Sequence, residues 1–275
     1  MSLRTTLACC LFLATAPALA SFTMTVDSDL NEWLPGAPSG SSADDWTPVD
    51  GHGIKYFVED QTGERAYLGP GWGGQDYDAE AVYAQRSATH LNFAIVTGRA
   101  PDADGFVAGD IAIDFGLDGT FEYGVVTLTD ATGIGMAGEL YRVTEWNYGL
   151  WSAPGVEGDP TSTPFGLSHP TAIEAGTKLA DVDLSYDAMR YNGVSGLGIG
   201  EFGDAGKHYV IETSIALDLL DPSMINQNFL VHWTMACAND VVAVDPPPGG
   251  EVPAPASLLL LLAGLGGLAM RRMRG

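Results

Sequence analysis

The side chains best suited to chemistry in this chain are carboxylates. In DIAIDFGLDGTFE, Asp110, Asp114, Asp118 and Glu122 recur every four residues. Calcium takes six to eight oxygens at about 2.3–2.6 Å, so clustered carboxylates with turn carbonyls are the right donors for Ca2+. Asp114-x-Gly116-x-Asp118-Gly119 matches part of a calcium loop, although the full 12-residue EF-hand spacing with its closing bidentate Glu is absent. The alternative is a solvated acidic turn. A second acidic set, Asp76, Asp78 and Glu80, alternates in QDYDAEAVY; a strand through it would put all three on one face.

Aromatic residues offer a different chemistry. Sugar rings stack their C–H bonds on flat, exposed aromatic faces, while nearby amides and carboxylates bind the hydroxyls. Trp72 stands between glycines in GPGWGGQDYD, and Trp146 and Tyr148 lie two apart in EWNYGLW. These three are the candidate ligand-binding residues, with core filling as the competing use for the pair. Trp233, inside the apolar run FLVHWTM, is expected in the core.

Catalytic signatures are missing. His52, His90, His169, His208 and His232 are scattered, with no HExxH, GxSxG, P-loop or CxxC pattern. With 35 acidic residues, a glycosidase-like carboxylate pair would arise by chance. No catalytic residue is therefore expected, and a secreted hydrolase is the least favoured reading.

The elements that must position these groups read as strands. AEAVYAQRSATHLNFAIVTG (79–98) gives two strands around a polar turn, and DIAIDFG with TFEYGVVTLTD gives a hairpin about Asp118-Gly119. Residues 139–151 alternate in places, 209–216 alternate clearly, and 229–244 form a long apolar run rich in β-branched and aromatic residues. Short strands separated by Gly, Asp and Asn turns predict an all-β, antiparallel, jelly-roll-like sandwich over residues 21–245. A short helix is predicted near 217–224, loops at 34–53 and 153–176, and a stiff Pro/Gly linker at 246–252.

The two ends differ from this body. Residues 1–20 carry Arg4, an apolar stretch from Leu7, and the exit Ala18-Leu19-Ala20, the n-region, h-region and cleavage site of a signal peptide read by the Sec translocon and signal peptidase. Such a stretch is too short for a lasting span. Cys9 and Cys10 would leave with it, so Cys237 would be the one remaining cysteine, with no partner for an intramolecular disulfide. It is expected as a buried small residue. At the other end, Ala256–Met270 is uncharged and is followed by Arg271, Arg272 and Arg274. This predicts a short transmembrane segment with a cytoplasmic basic tip.

All 35 acidic residues lie between these ends, whereas Arg4 and the three terminal arginines do not. The body is thus more acidic than the whole-chain charge of −23. A polyanion of this kind repels nucleic acid, and no nucleic-acid partner is expected.

The tail, Val252-Pro253-Ala254-Pro255-Ala256-Ser257 followed by the apolar segment and Arg271-Arg272, resembles the PEP-CTERM sorting signal (residues 253–275) of Gram-negative bacterial surface proteins. Ala254 stands where that family carries Glu. The resemblance implies an exosortase as partner, cleavage near the Pro-x-Pro element, transient tethering at the inner membrane, and a final place on the cell surface or in the extracellular matrix. The opening Asp27-Ser28-Asp29-Leu30-Asn31-Glu32-Trp33, with YDAEAVY, LNFAIVTG and GDIAIDFGLDGTFEYGV after it, resembles family 9 carbohydrate-binding modules and DOMON-like sandwiches. That resemblance implies a β-sandwich that binds extracellular polysaccharide; a structural envelope protein without a small ligand is the alternative. The segments Gly-Trp-Gly-Gly…Tyr-Asp-x-Glu-Ala and His-Trp-Thr-Met-x-Cys-x-Asn-Asp are similar to uncharacterised PEP-CTERM surface proteins.

Overall fold

The computed structural model describes residues 22–38, 43–49, 52–58, 75–129, 133–148, 169–195, 208–238 and 240–244. The signal-peptide region, Trp72, the linker, the sorting element Val252–Ser257, the apolar segment 256–270 and the terminal arginines lie outside them. Among the described residues no helix is long and apolar enough to cross a membrane.

Among the described residues there are thirteen strands: β1 (Lys55–Val58), β2 (Ala79–Arg86), β3 (His90–Thr97), β4 (Ile111–Phe115), β5 (Tyr123–Val125), β6 (Glu139–Tyr148), β7 (Pro170–Asp181), β8 (Asp183–Ala188), β9 (Arg190–Tyr191), β10 (Val194–Ser195), β11 (Tyr209–Ala216), β12 (Phe229–Thr234) and β13 (Val241–Val244). They form a five-stranded sheet, β1-β2-β3-β11-β8, a six-stranded sheet, β13-β12-β4-β5-β6-β7, and a small β10-β9 ribbon. Every strand pairing is antiparallel.

The two large sheets face each other across one apolar core. Val82, Phe93, Ile95, Ile211 and Ile215 come from the first, and Ile111, Ile113, Phe115, Phe229, Val231 and Trp233 from the second. Burying each such side chain contributes about 1.5–3 kcal/mol. The fold is therefore a β-sandwich-like, all-β arrangement, in agreement with the alternation in the sequence. Trp233 is fully buried and its Nε1 donates to Gly109 O at 2.9 Å. Cys237 is buried.

Each sheet also has a covered outer face. On the five-stranded sheet the N-terminal segment lies across Ala81, Tyr83, Ala94, Val96 and Val210, burying Leu30, Trp33 and Leu34. On the six-stranded sheet the cover is the β6–β7 hairpin itself. In sheet order β7 lies three places from β4, yet Asp110 N donates to Thr171 O at 2.8 Å. The hairpin reaches β4 by bending where its register shifts, between Val143 and Glu145 and between Glu145 and Trp146. Its distal half folds back over the sheet. Trp146, Val143, Tyr141 and Ile173 then pack on Ala112 and Val126.

Three local expectations differ. Residues 217–224 form a single 3-10 turn, Leu217–Leu219, followed by turns, because Pro222 disfavours helical backbone at Asp221. The run 229–244 splits into β12 and β13 at a turn where Ala238 has φ 53°. Residues 170–176, read as loop, begin β7; they are held by pairing to β6, which small residues such as Ala172, Ala175 and Gly176 do not advertise.

Candidate functional site

Strand β4 sets the acidic cluster. Its inward residues Ile111, Ile113 and Phe115 enter the core, so Asp110, Ala112 and Asp114 share the outer face. Asp114 lies at the end that leads into the turn of Gly116, Leu117 and Gly119, all with positive φ. The turn brings Asp118 and Glu122 back to Asp114, and one carboxylate oxygen of each lies within 4.8 Å of the others.

These carboxylates already have local work. Asp114 accepts from the Asp118 and Gly119 amides at 3.3 and 2.8 Å, Glu122 from Phe115 N at 2.8 Å, and Asp118 from Thr120 N at 2.9 Å. Burial pushes the Glu122 carboxyl above its ordinary range, with Asp114 and Asp118 adding repulsion. The arrangement caps a tight turn and leaves lone pairs that a hard cation could share.

Asp110 does not join this group. Its carboxylate turns the other way and accepts from Thr127 N at 3.0 Å and Ile173 N at 2.9 Å. It pins the folded-back hairpin to β4. Burial pushes its carboxyl up to about 6, against the lowering effect of the two amides.

The candidate sugar-binding aromatics separate. Trp146 is 9% exposed, its ring lies over Gly124, and its Nε1 donates to Phe121 O at 2.9 Å. That ring is a packing element with no free face for a sugar. Tyr148 is 48% exposed at the hairpin's distal end. Beside it, the Asn147 amide donates to the Glu174 carboxylate, and this pair is exposed too.

Asp76, Asp78 and Glu80 do not form a common acidic face, because β2 begins only at Ala79 and Asp76 sits in the 3-10 turn Gln75–Tyr77. Glu80 falls at a register shift and meets partners that no local pattern announces. Its Oε1 lies 3.0 Å from His208 Nε2 and accepts from Gln75 Nε2 at 2.9 Å, with all three side chains buried and Trp46 packed on the imidazole. Nearby, Asp240 Oδ2 accepts from Ala79 N at 2.7 Å. This joins the Tyr-Asp-x-Glu-Ala segment to the Asn-Asp that follows Cys237.

A second pairing was also invisible in the sequence. His169 Nδ1 and His232 Nε2 lie 3.2 Å apart, with rings near parallel at 13° and centroids 5.4 Å apart. The centroid separation exceeds the nitrogen separation by nearly two ring radii, so the rings meet nitrogen to nitrogen, head-on. One shared proton fits that line; a metal ion held by both nitrogens would need a bent approach. His232 Nδ1 is buried with no partner among the described residues, whereas a metal-bound imidazole donates its other N–H. The geometry is that of a neutral N–H···N bond. Either ring nitrogen can carry the shared proton, according to the tautomers of the two imidazoles.

No protein-family model matches the chain, and comparison with curated proteins finds no match.

Proposed function

We propose that the chain is an exported, exosortase-sorted surface or extracellular-matrix protein whose jelly-roll-like sandwich binds extracellular polysaccharide without catalysing a reaction. One observation carries the binding reading: Tyr148 is an exposed aromatic, and its chain neighbour Asn147 donates to the Glu174 carboxylate at the surface. A sugar ring stacked on the tyrosine face would take its apolar contact there, and such platforms combine apolar contact with a polar rim. The non-enzymatic reading draws on His208 and His232, whose imidazoles are buried. Trp146 serves this site by holding the hairpin in place, and Trp72 enters as a second aromatic candidate on sequence grounds alone.

A glycan array with residues 21–250 tests the reading. Binding should appear for at least one extracellular polysaccharide and fall at least tenfold in Tyr148→Ala, with the melting temperature unchanged. Trp146→Ala should instead lower the melting temperature, because it removes a buried ring. An array without hits would favour a structural envelope protein.

A cation forms a second reading, favoured by the convergence of Asp114, Asp118 and Glu122. Calcium bound there would bridge the turn to the end of β4 and add to the stability of the surface domain.

A further inference from the structure

We propose that Asn192 is a site of spontaneous deamidation gated by Asp29: its side chain converts to aspartate or iso-aspartate once the N-terminal segment releases the β9–β10 turn.

Asn192-Gly193 is the one Asn-Gly pair in the sequence, and both residues are exposed. They form the two-residue loop of the β9–β10 ribbon, in which Tyr191 pairs with Val194. φ is 50° at Asn192 and 75° at Gly193, the doubly positive pattern of a type I′ turn, which Asn-Gly suits. The chemistry needs these two residues and water. The Gly193 amide nitrogen gives up its proton to solvent and attacks Asn192 Cγ. A C–N bond closes a five-membered ring, and the side-chain nitrogen takes a proton and leaves as ammonia. Water then adds to either carbonyl of this succinimide and opens it to aspartate or iso-aspartate. Nothing is oxidised or reduced. Glycine favours the attack because no Cβ crowds the nitrogen.

Asp29 blocks the first step in the folded protein. It is buried, and its carboxylate holds three amides: Oδ1 accepts from Asn31 N at 3.1 Å and Asn192 N at 2.9 Å, and Oδ2 accepts from Gly193 N. Asn192 N and Gly193 N are the two ends of the ψ torsion of Asn192. N–H groups that converge on one carboxylate lie on the same side of the Cα–C bond, so Gly193 N sits close to eclipsing Asn192 N. Ring closure needs it to approach Cβ instead, about one-third of a turn away around a tetrahedral Cα. That rotation breaks a hydrogen bond to the carboxylate, and charge-assisted bonds are the strong ones. Asp29 thus holds the nitrogen in the wrong rotation, whichever group takes its proton.

The gate belongs to the N-terminal segment. Ser28 O accepts from Arg190 N at 3.0 Å, Asp27 O accepts from Arg190 Nη1 at 3.1 Å, and Leu30 is buried against the five-stranded sheet. Lifting this segment removes the carboxylate and frees the turn. The products then oppose its return. Iso-aspartate inserts a methylene into the backbone between the two amides, which one carboxylate no longer spans in the same way. Aspartate puts a second negative charge on the residue that Asp29 grips.

Peptide mapping by mass spectrometry tests the gate, with the purified chain held at neutral pH, native or in guanidinium chloride. Conversion of Asn192 should be slower in the native protein by about tenfold or more, because the turn must open first. Asp29→Asn offers one acceptor oxygen in place of two and should speed the native conversion by about tenfold. Asp29→Ala should bring it close to the rate in guanidinium. Val231→Ala opens a cavity in the core of the six-stranded sheet and lowers global stability, and it should leave the native rate unchanged. If Asp29→Ala does not fold, Asp29→Asn compared with Val231→Ala decides. A native rate equal to that in guanidinium would overturn the proposal. So would an Asp29→Asn protein no faster than wild type, or a Val231→Ala protein accelerated as much as Asp29→Asn.

Discussion

At the scale of single residues, the buried carboxylate Glu212 shows how the N-terminal motif works. Glu212 lies on the outer side of β11, and its oxygens accept from Asp27 N at 3.0 Å, Ser28 N at 2.7 Å and Trp33 Nε1 at 2.8 Å. The Asp-Ser-Asp-Leu-Asn-Glu-Trp segment thus supplies Leu30 and Trp33 as apolar anchors and its own amides as a clasp on that carboxylate. Burial pushes Glu212 up to about 8, and the three donors only partly counter it. The folded state therefore holds its proton more tightly than the unfolded chain. The resulting stabilisation is fully present below about pH 4.5 and is lost as pH rises towards 8. Urea unfolding at pH 5, 6, 7 and 8 should show wild-type stability declining relative to Glu212→Gln, by up to about 1.4 kcal/mol per pH unit. Parallel curves would mean that Glu212 is not protonated in the fold. Glu212→Ala, which strands three donors, should cost several kcal/mol at every pH. The anchors were legible in the sequence as a motif, and the acid that clasps them was not, because it lies 179 or more positions away.

At the scale of elements, the decisive feature is the bend of the β6–β7 hairpin. Two glycines permit it. A Cβ on Gly176, opposite Val143, would lie 2.6 Å from Arg142 O; one on Gly124 would lie 2.6 Å from the Trp146 ring. Gly124→Ala or Gly176→Ala should therefore destabilise the domain by about 1–3 kcal/mol, as overpacking does. Gly36→Ala, where nothing lies within 4 Å, is the control expected to change little. Thermal melts of the three variants settle it; a Gly124→Ala protein as stable as the control would mean that Trp146 does not lie over that glycine. Alternation made β2, β3, β4 and β11 readable, since each presents one face to the core. The fold-back of β6 and β7 left no such trace. Its distal half is buried by the sheet it covers, so Trp146 sits where alternation on an open strand would leave a ring exposed. The same bend took Asp110 out of the acidic cluster. Spacing along the chain counted it with Asp114, Asp118 and Glu122, while the returning hairpin claimed its carboxylate.

At the scale of the whole molecule, a charge of −23 on 275 residues makes the protein self-repelling. General screening and a shaped calcium site both relieve that repulsion, and they differ in selectivity. Screening treats Mg2+ and Ca2+ alike at matched ionic strength. A turn that offers several carboxylate oxygens favours Ca2+, because Mg2+ demands tighter octahedral geometry and gives up its water reluctantly. Binding to the native state alone stabilises it by about 2.7 kcal/mol at a hundredfold excess over Kd. For a domain of this size that corresponds to a rise of several degrees in Tm, at roughly 2–4 °C per kcal/mol. The domain should therefore melt highest in Ca2+, lower in Mg2+ and lowest in EDTA. Asp118→Asn is the informative variant, because Asp118 is exposed and its neutral amide oxygen can still accept from Thr120 N. It should remove most of the calcium increment and leave the EDTA melt nearly unchanged, or slightly raised by relief of repulsion with Asp114 and Glu122. Asp114→Asn carries a further cost, since Asp114 caps the turn through two amides and an amide side chain can accept at only one of its two positions. Equal melting in all three solutions would leave the three carboxylates with the single task of closing the turn after β4.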